Sequence, residues 1–155
     1  MADTHIPRVA DDLPVEVYNA IKESDMLIHA GDFVESDFYE RLKALKTIKA
    51  VCGNMDDHKL RQELNQKEII EAGGYKIGLI HGYGASINLM KTVRGEFGDI
   101  DAIIFGHSQR AINTVNEGVL FFNPGSPTDK IFTDSNSYGI LDVTSNGIKS
   151  NIIKI

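Results

Sequence analysis

The sequence predicts an α/β protein: a four-layer α/β/β/α sandwich of two mixed β-sheets flanked by helices. Two observations carry this prediction. The first half of the chain alternates helix-like and strand-like segments, which is typical of parallel strands joined by helical crossovers. The second half contains strand-like pairs around turn residues, which favours antiparallel hairpins. Two packed sheets with helices outside accommodate both halves.

The elements of the first half follow from apolar spacing. Apolar residues recur at helical spacing over 13–24, and a short apolar run over 26–30 predicts a buried strand. A second helix over 37–45 and a second short strand over 47–52 repeat the pattern. A helical turn or two is expected over 57–64.

The second half is richer in strands. Turns containing Gly or Asn separate the paired segments 67–71 with 75–81, 111–115 with 119–122, and 138–143 with 148–155. Between the first and second pairs, we expect a helix over 87–97 and a buried strand over 102–105.

Composition limits the classes of function. A length of 155 residues suits one domain, which we expect to span 1–155. The net charge of −6 disfavours non-specific binding to nucleic acid or to a membrane surface. The lone Cys52 excludes an intramolecular disulfide, and we expect it to be a small buried apolar residue. Without a membrane-spanning stretch or a signal peptide, the sequence predicts a cytoplasmic protein; a homo-oligomer stays open.

Polar side chains follow several strand-like runs, each beside a glycine. They are Asp32, Asn54, His81 and His107, and Asp3 with His5 forms a similar set near the start. Because sites in α/β sheets form at the carboxyl ends of strands, we expect these side chains to converge. Each one alone is more often a turn residue than a ligand. Imidazole, carboxylate and amide donors without thiolate suit Mn, Fe, Zn, Co or Ni.

This ordered set resembles the calcineurin-like metallophosphoesterases. The matching segments are DTH, HAGD, GN, HG and GHSQ, and they span nearly the whole chain. The GNMD segment and the NPGS segment at 123–126 are similar to the small prokaryotic YfcE-like phosphodiesterase branch. The family fold is the four-layer sandwich predicted above.

The resemblance implies a hydrolase with two divalent metal ions, Mn first and Ni, Fe, Zn, Co or Mg as alternatives. Its substrate would be a small phosphate ester, attacked in line by a metal-bridging hydroxide. By the same resemblance, the first metal would take Asp3, His5 and Asp32, with Gln109 at the remaining position. The second metal would share Asp32 and take Asn54, His81 and His107, so these residues are the catalytic candidates.

The chain departs from the family pattern at Gln109 and Met55, where the family or its other branches carry histidine. A Gln oxygen is a weaker and harder donor, which predicts a weakened first site or an altered metal preference. Met55 cannot protonate a leaving group, although Asp56 or another acid could substitute. This pattern favours activated esters.

The start of the chain is the third departure. Only Met1 and Ala2 precede Asp3, where the family has a central strand, so the resemblance implies that this first central strand is shortened or missing. We therefore expect Asp3 and His5 to be poorly anchored, and a natural start upstream of Met1 is one explanation.

Several roles stay open. A catalytically weak or inactive binding module with the same fold, as in the sorting protein of the retromer complex, is the main alternative, and Gln109 favours it. Hydrolysis of nucleotides or nucleic-acid ends is less favoured by the acidic composition. His29 either supports the site or is an ordinary core histidine, and Tyr83 either lines a cleft or packs elsewhere. Arg8 and Arg110 are candidates for phosphate contact, with solvated surface roles as the default.

Overall fold

A five-stranded mixed sheet forms the larger β-layer of the protein. The structure is a computed structural model that describes residues 1–129, 131–133 and 135–155. The helices are α1 Val15–Glu23, α2 Ser36–Leu45, α3 His58–Glu63 and α4 Leu89–Gly95, with a 3₁₀ turn over Ser86–Asn88 before α4. The strands are β1 Leu27–His29, β2 Ile48–Ala50, β3 Lys67–Ala72, β4 Tyr75–Ile80, β5 Ala102–Ile104, β6 Ile112–Asn116, β7 Val119–Asn123, β8 Ser137–Thr144 and β9 Gly147–Lys154.

The strand order of the large sheet is β3-β4-β5-β7-β6. Its two hairpins, β3–β4 and β6–β7, are antiparallel, whereas β5 pairs in parallel with both β4 and β7. Beside this sheet lie a parallel pair, β1–β2, and an antiparallel pair, β8–β9. The carboxyl ends of β1 and β2 therefore share one edge, as do those of β4 and β5.

Three apolar clusters separate four layers, as the sequence predicts. The first packs α1, α2 and α3 on one face of β1–β2, with Leu42 and Leu60 fully buried. The second lies between the two β-layers and includes Leu79, Ile104 and Phe122, with side chains of β8 and β9 packed against it. The third packs Val93 of α4 on the outer face of the large sheet. Burial of each such side chain stabilises the fold by about 1.5–3 kcal/mol.

The first central strand is shortened, as predicted, because residues 1–5 form no named strand. They nevertheless run beside β1 and the loop that follows it. The Met1 carbonyl accepts a hydrogen bond from Ala30 N, and Asp3 N donates to the Gly31 carbonyl, each at 3.0 Å. An apolar cavity of about 120 Å³ lies between β1 and β8, with Met1 in its lining.

The prediction that Asp3 and His5 are poorly anchored is wrong. Their residue exposures are only 0% and 6%. His5 N donates to the Asp32 carbonyl at 3.0 Å, which continues the backbone pairing. Two hydroxyl groups far along the chain complete the anchoring: Ser126 Oγ donates to the Asp3 carbonyl at 2.7 Å, and Thr128 Oγ1 donates to the Thr4 carbonyl at 2.6 Å.

No helix among the described residues is both long enough and apolar enough to cross a lipid bilayer.

Candidate metal centre

Loops at the carboxyl ends of β1, β2, β4 and β5 bring four predicted side chains together. Asn54 Oδ1 lies 3.1 Å from His81 Nε2 and 3.0 Å from His107 Nδ1. Asp32 Oδ2 lies 3.3 Å from His81 Nε2. These distances place imidazole, carboxylate and amide donors around one point, as metal coordination requires.

The N-terminal pair joins the same cluster. His5 Nε2 lies 3.1 Å from Asp32 Oδ2, and Asp3 Oδ1 accepts a hydrogen bond from His107 N at 3.1 Å. Asp3, Asp32 and His81 each offer a ligand atom within 4.8 Å of the others, and all three are buried. Residues from both ends of the family-like pattern therefore meet in one site.

Two buried oxygens of the candidate ligands have no hydrogen-bond partner among the described residues. They are Asp3 Oδ2 and Gln109 Oε1. An unpaired buried carboxylate or amide oxygen costs about 1–3 kcal/mol or more, so such atoms are rare without a purpose. Both are oxygen donors, and a divalent cation would satisfy them. The donor set thus fits the metal ions that the resemblance implies.

The backbone of the site is strained. Positive φ angles occur at Asp3 (54°), His5 (46°), Asp32 (62°), His107 (66°) and Gln109 (58°). A left-handed conformation costs a residue other than glycine about 1–3 kcal/mol, and such costs concentrate at functional sites. Here the strained residues are themselves the predicted ligands, which directs their side chains inward at the cost of stability.

Burial and mutual contacts shift the protonation of the cluster. Burial raises the pKa of Asp3 to about 7. Burial alone would also raise the pKa of Asp32, but hydrogen bonds from His5 and His81 outweigh it and lower that pKa. His81 shows the converse: burial would lower its pKa, whereas Asp32 and Asp3 raise it to about 9. A metal ion would therefore compete with protons at His81 and Asp3.

Hydrogen bonds fix the tautomers of two histidines. His81 Nδ1 donates to the Ala30 carbonyl at 2.7 Å, and His107 Nε2 donates to the Gly84 carbonyl at 3.0 Å. A carbonyl only accepts, so each ring carries its proton on that nitrogen. His81 Nε2 and His107 Nδ1 then face the cluster as the nitrogens that can bind a metal.

His29 stabilises the backbone on which Asp3, His5 and Asp32 lie. The Gly31 N–H donates to His29 Nδ1 at 3.2 Å, and His29 Nε2 donates to Thr4 Oγ1 at 3.1 Å. The ring stacks on Phe33 with centroids 3.6 Å apart, and burial holds its pKa well below the ordinary value. The neutral ring therefore links the turn before Asp32 to the segment between Asp3 and His5.

Asp56 is a structural residue of the site, and the expectation that it could act as an acid is wrong. Asp56 Oδ2 accepts from Asp32 N at 3.2 Å and Gly53 N at 2.7 Å, and Oδ1 accepts from Val34 N at 2.9 Å. This buried carboxylate joins the loops after β1 and β2. The signal for it was present in the sequence, since an acidic residue soon after Gly-Asn can bond backbone amides.

Gly53 permits the closest approach in the site. A Cβ at this position would overlap Asp32 Oδ1 and lie 2.5 Å from Asp32 N. Only glycine therefore allows the β2 loop to pass beside Asp32. This close contact with Asp32 is the physical reason that a glycine stands directly before the predicted ligand Asn54.

The segment over 123–126 positions the loops rather than the substrate. Asn123 Nδ2 donates to the Gly106 carbonyl at 2.9 Å and to Ser108 Oγ at 3.0 Å, just before and after His107. Ser126 holds the Asp3 carbonyl, as described above. The NPGS motif thus ties the β5 loop to the N-terminal segment.

A cleft of about 540 Å³ opens beside Asn54 and His81. Tyr83 lines it and donates to Glu96 Oε1 at 2.7 Å, so the cleft alternative for Tyr83 agrees with the structure.

Cys52 is only partly buried and also lines the cleft, contrary to the expected buried position. Sequence reasoning missed the charged residues of the cleft, which are Arg61, Lys67 and Glu96. Arg8, His58 and Arg110 are exposed.

Comparison with known proteins gives one family. A model of the calcineurin-like phosphoesterase superfamily domain matches residues 1–146. A curated relative from Methanothermobacter thermautotrophicus, named probable metallophosphoesterase, is 31% identical over 157 residues, covering 99% of this chain and 90% of that protein.

Two solved structures share the fold at lower identity. Vps29 of Chaetomium thermophilum is 22% identical with a TM-score of 0.79, and the match covers 100% of this chain and 91% of that chain. A protein described as a novel archaeal phosphodiesterase is 24% identical with a TM-score of 0.71, covering 99% and 97%. An enzyme and a protein named for vacuolar sorting thus share this architecture.

Proposed function

Because the chain belongs to the calcineurin-like phosphoesterase superfamily, we propose that it is a metal-dependent phosphodiesterase acting on small phosphate esters in the cytoplasm, with one domain over 1–155. This proposal rests on the close approach of ligand atoms from the buried residues Asp3, Asp32 and His81. In addition, Asp3 Oδ2 has no hydrogen-bond partner among the described residues. The name of the archaeal structural neighbour supports the choice of a diester.

The ligand assignment follows the contacts. Asp32 Oδ2 lies near both His5 and His81, which supports Asp32 as the residue shared by two metal sites. Asp3, His5, Asp32 and Gln109 would hold one ion, and Asp32, Asn54, His81 and His107 the other. Manganese suits this mixture of oxygen and imidazole donors, although Ni, Fe, Zn, Co and Mg use the same types.

The bound ions would supply an activated water and neutralise charge on the phosphate. The protein's own part is orientation. The carbonyls of Ala30 and Gly84 hold the rings of His81 and His107, and Asp56 holds the loops of Asp32 and Asn54. Neutral Asn54 provides a donor oxygen without adding another negative charge to an acidic chain.

Within the part of the chain that the structure describes, neither residue that follows Asn54 is suited to protonate the leaving group. Met55 has no titratable group, and the carboxylate of Asp56 is engaged by three backbone amides. We therefore propose that aryl esters, which leave as stable anions, react faster than alkyl esters.

The proposal is tested with bis(p-nitrophenyl) phosphate beside p-nitrophenyl phosphate, each with Mn²⁺, Ni²⁺ or Mg²⁺. We expect metal-dependent turnover with the diester preferred. Asn54→Ala should lower kcat by about 100-fold or more, because it removes a proposed ligand of the ion that would stabilise charge on the phosphate. Asn146→Ala, at an exposed turn, is the matched control and should retain activity. Absence of turnover with every metal contradicts the proposal.

A binding module is the second candidate function, and Gln109 is the observation that favours it. Counting bound metal by equilibrium dialysis, with Gln109→His beside the wild type, separates the two functions. Tight binding of two ions that is unchanged by the substitution contradicts a weakened first site. The binding module is favoured if the wild type binds a single ion tightly and shows no turnover, and if Gln109→His restores both the second ion and the turnover.

A further inference from the structure

The cleft beside Asn54 and His81 contains charged side chains that are not among the proposed metal ligands. Its charged lining residues are Arg61, Lys67 and Glu96, which sum to one net positive charge in a chain of net charge −6. A local excess of positive charge in an acidic protein favours an anionic ligand at that place.

Glu96 neutralises Lys67 but not Arg61. Lys67 Nζ lies 2.8 Å from Glu96 Oε2 and donates to the Glu96 carbonyl at 2.9 Å. The other Glu96 oxygen accepts from Tyr83. Among the described residues, no carboxylate forms an ion pair with Arg61, which is therefore the available cation of the cleft.

Arg61 is also fixed in position. Its Nε donates to the Asp56 carbonyl at 2.8 Å, and Nη2 donates to the Asn54 carbonyl at 2.6 Å. These two bonds orient the guanidinium against the loop of a proposed metal ligand, while Nη1 has no protein partner among the described residues. A pre-oriented guanidinium loses little entropy when it binds a carboxylate or a phosphate.

We propose that Arg61 binds a second anionic group of the substrate, which makes the natural substrate a phosphate ester whose organic part carries a carboxylate or a further phosphate. This inference rests on the proposed function, because the scissile phosphate is placed at the metal centre. Arg61 is thereby a specificity-determining residue, in place of Arg8 and Arg110, which do not line the cleft.

Phosphonates test the inference without turnover, because their C–P bond is not an ester. The probes are propylphosphonate and 2-carboxyethylphosphonate, which differ at the end of the chain, and ethane-1,2-bisphosphonate, which carries a second phosphonate. Calorimetric titration with Mn²⁺ present should show that at least one of the two probes with a second anionic group binds about tenfold more tightly than propylphosphonate, as for one charge-assisted hydrogen bond. The tighter of the two identifies the kind of second anion.

Variants assign the preference to Arg61. In Arg61→Gln the ratio of affinities should fall to about one, while propylphosphonate affinity and manganese content stay unchanged if the loop is intact. Lys59→Gln removes the same charge from an exposed position of the same helix, outside the cleft, and should keep the wild-type ratio. Should Arg61→Gln disturb the loop, Arg61→Lys retains the charge and should keep part of the preference.

The failures of the two proposals are distinguishable. Equal binding of all three probes by the wild type overturns the role of Arg61 and leaves the phosphodiesterase proposal intact. An unchanged ratio in a folded Arg61→Gln protein does the same. Binding of no phosphonate by the manganese-loaded protein overturns both.

Discussion

Replacement of Asp56 by alanine should destabilise the protein and loosen the metal centre together. The buried carboxylate accepts three backbone hydrogen bonds of 2.7–3.2 Å, from Asp32, Val34 and Gly53. Hydrogen bonds to a charged group contribute about 1.5–3 kcal/mol each after solvent is taken into account, so loss of the three should cost roughly 4.5–9 kcal/mol. That is a large part of the roughly 5–15 kcal/mol that stabilises a typical domain.

Urea unfolding with the metal removed measures this cost directly. Asp99→Asn is the matched control, because the Asp99 side chain is 97% exposed and its partner Lys76 lies 3.2 Å away. An exposed ion pair contributes about 0–1 kcal/mol, so the control should unfold close to the wild type. Manganese affinity of Asp56→Ala should fall by about 10- to 100-fold, as for other residues that orient ligands.

Unchanged stability together with unchanged metal affinity would contradict this structural role of Asp56. If Asp56→Ala unfolds within about 0.5 kcal/mol of Asp99→Asn and binds manganese as tightly as the wild type, the carboxylate does not hold the two loops. A loss of stability with unchanged metal affinity would confine its role to folding.

Two further predictions concern the same cluster. Gly53→Ala should abolish manganese binding because its Cβ would overlap Asp32 Oδ1, whereas Gly98→Ala, with open space around it, should bind normally; equal affinities contradict the proposed crowding. In metal-free protein, the pKa of His81 is raised to about 9, from 6.5. Its contribution is therefore complete below pH 6.5 and is lost as the pH rises through 9, so unfolding free energy should fall by about 2–3 kcal/mol between these values. Saturating Mn²⁺ should reverse this slope, since the metal binds the deprotonated ring; urea titrations that show the same slope with and without metal contradict it.

The sequence was sufficient for the fold and for the membership of the cluster, for a physical reason. Strand ends are set by local patterns, and parallel strands bring their carboxyl ends to one edge. Asp32, Asn54, His81 and His107 each follow such an end, so their convergence needed no knowledge of distant contacts. Glycine beside a ligand, as at Gly53, was a further local signal.

The features that sequence reasoning missed depend on contacts between distant segments. Asp3 is held by Ser126, which lies 123 positions away, and no local pattern reveals that bond. Arg61 lines the cleft because α3 packs beside the β2 loop, and Glu96 neutralises Lys67 across 29 positions. Whether a surface cation is free or paired is a property of such packing, so Arg8, Arg61 and Arg110 could not be told apart from the sequence.

The same features that suit the cluster for metal ions make the metal-free fold less stable. Positive φ angles at five of the predicted ligands, a buried Asp3 with its pKa raised to about 7, and a Gln109 oxygen without a partner among the described residues all raise the free energy of the folded state. Ions that bind only the folded chain would offset these costs by an amount that grows with their concentration. If the protein has the proposed function, metal binding and folding are therefore linked.

Substitutions that relax the cluster, such as Asp3→Asn, should stabilise the metal-free protein while weakening manganese binding. Urea titration measures the first effect, and calorimetric titration measures the second. A variant that loses stability without metal would show that Asp3 supports the fold and is not a strained ligand.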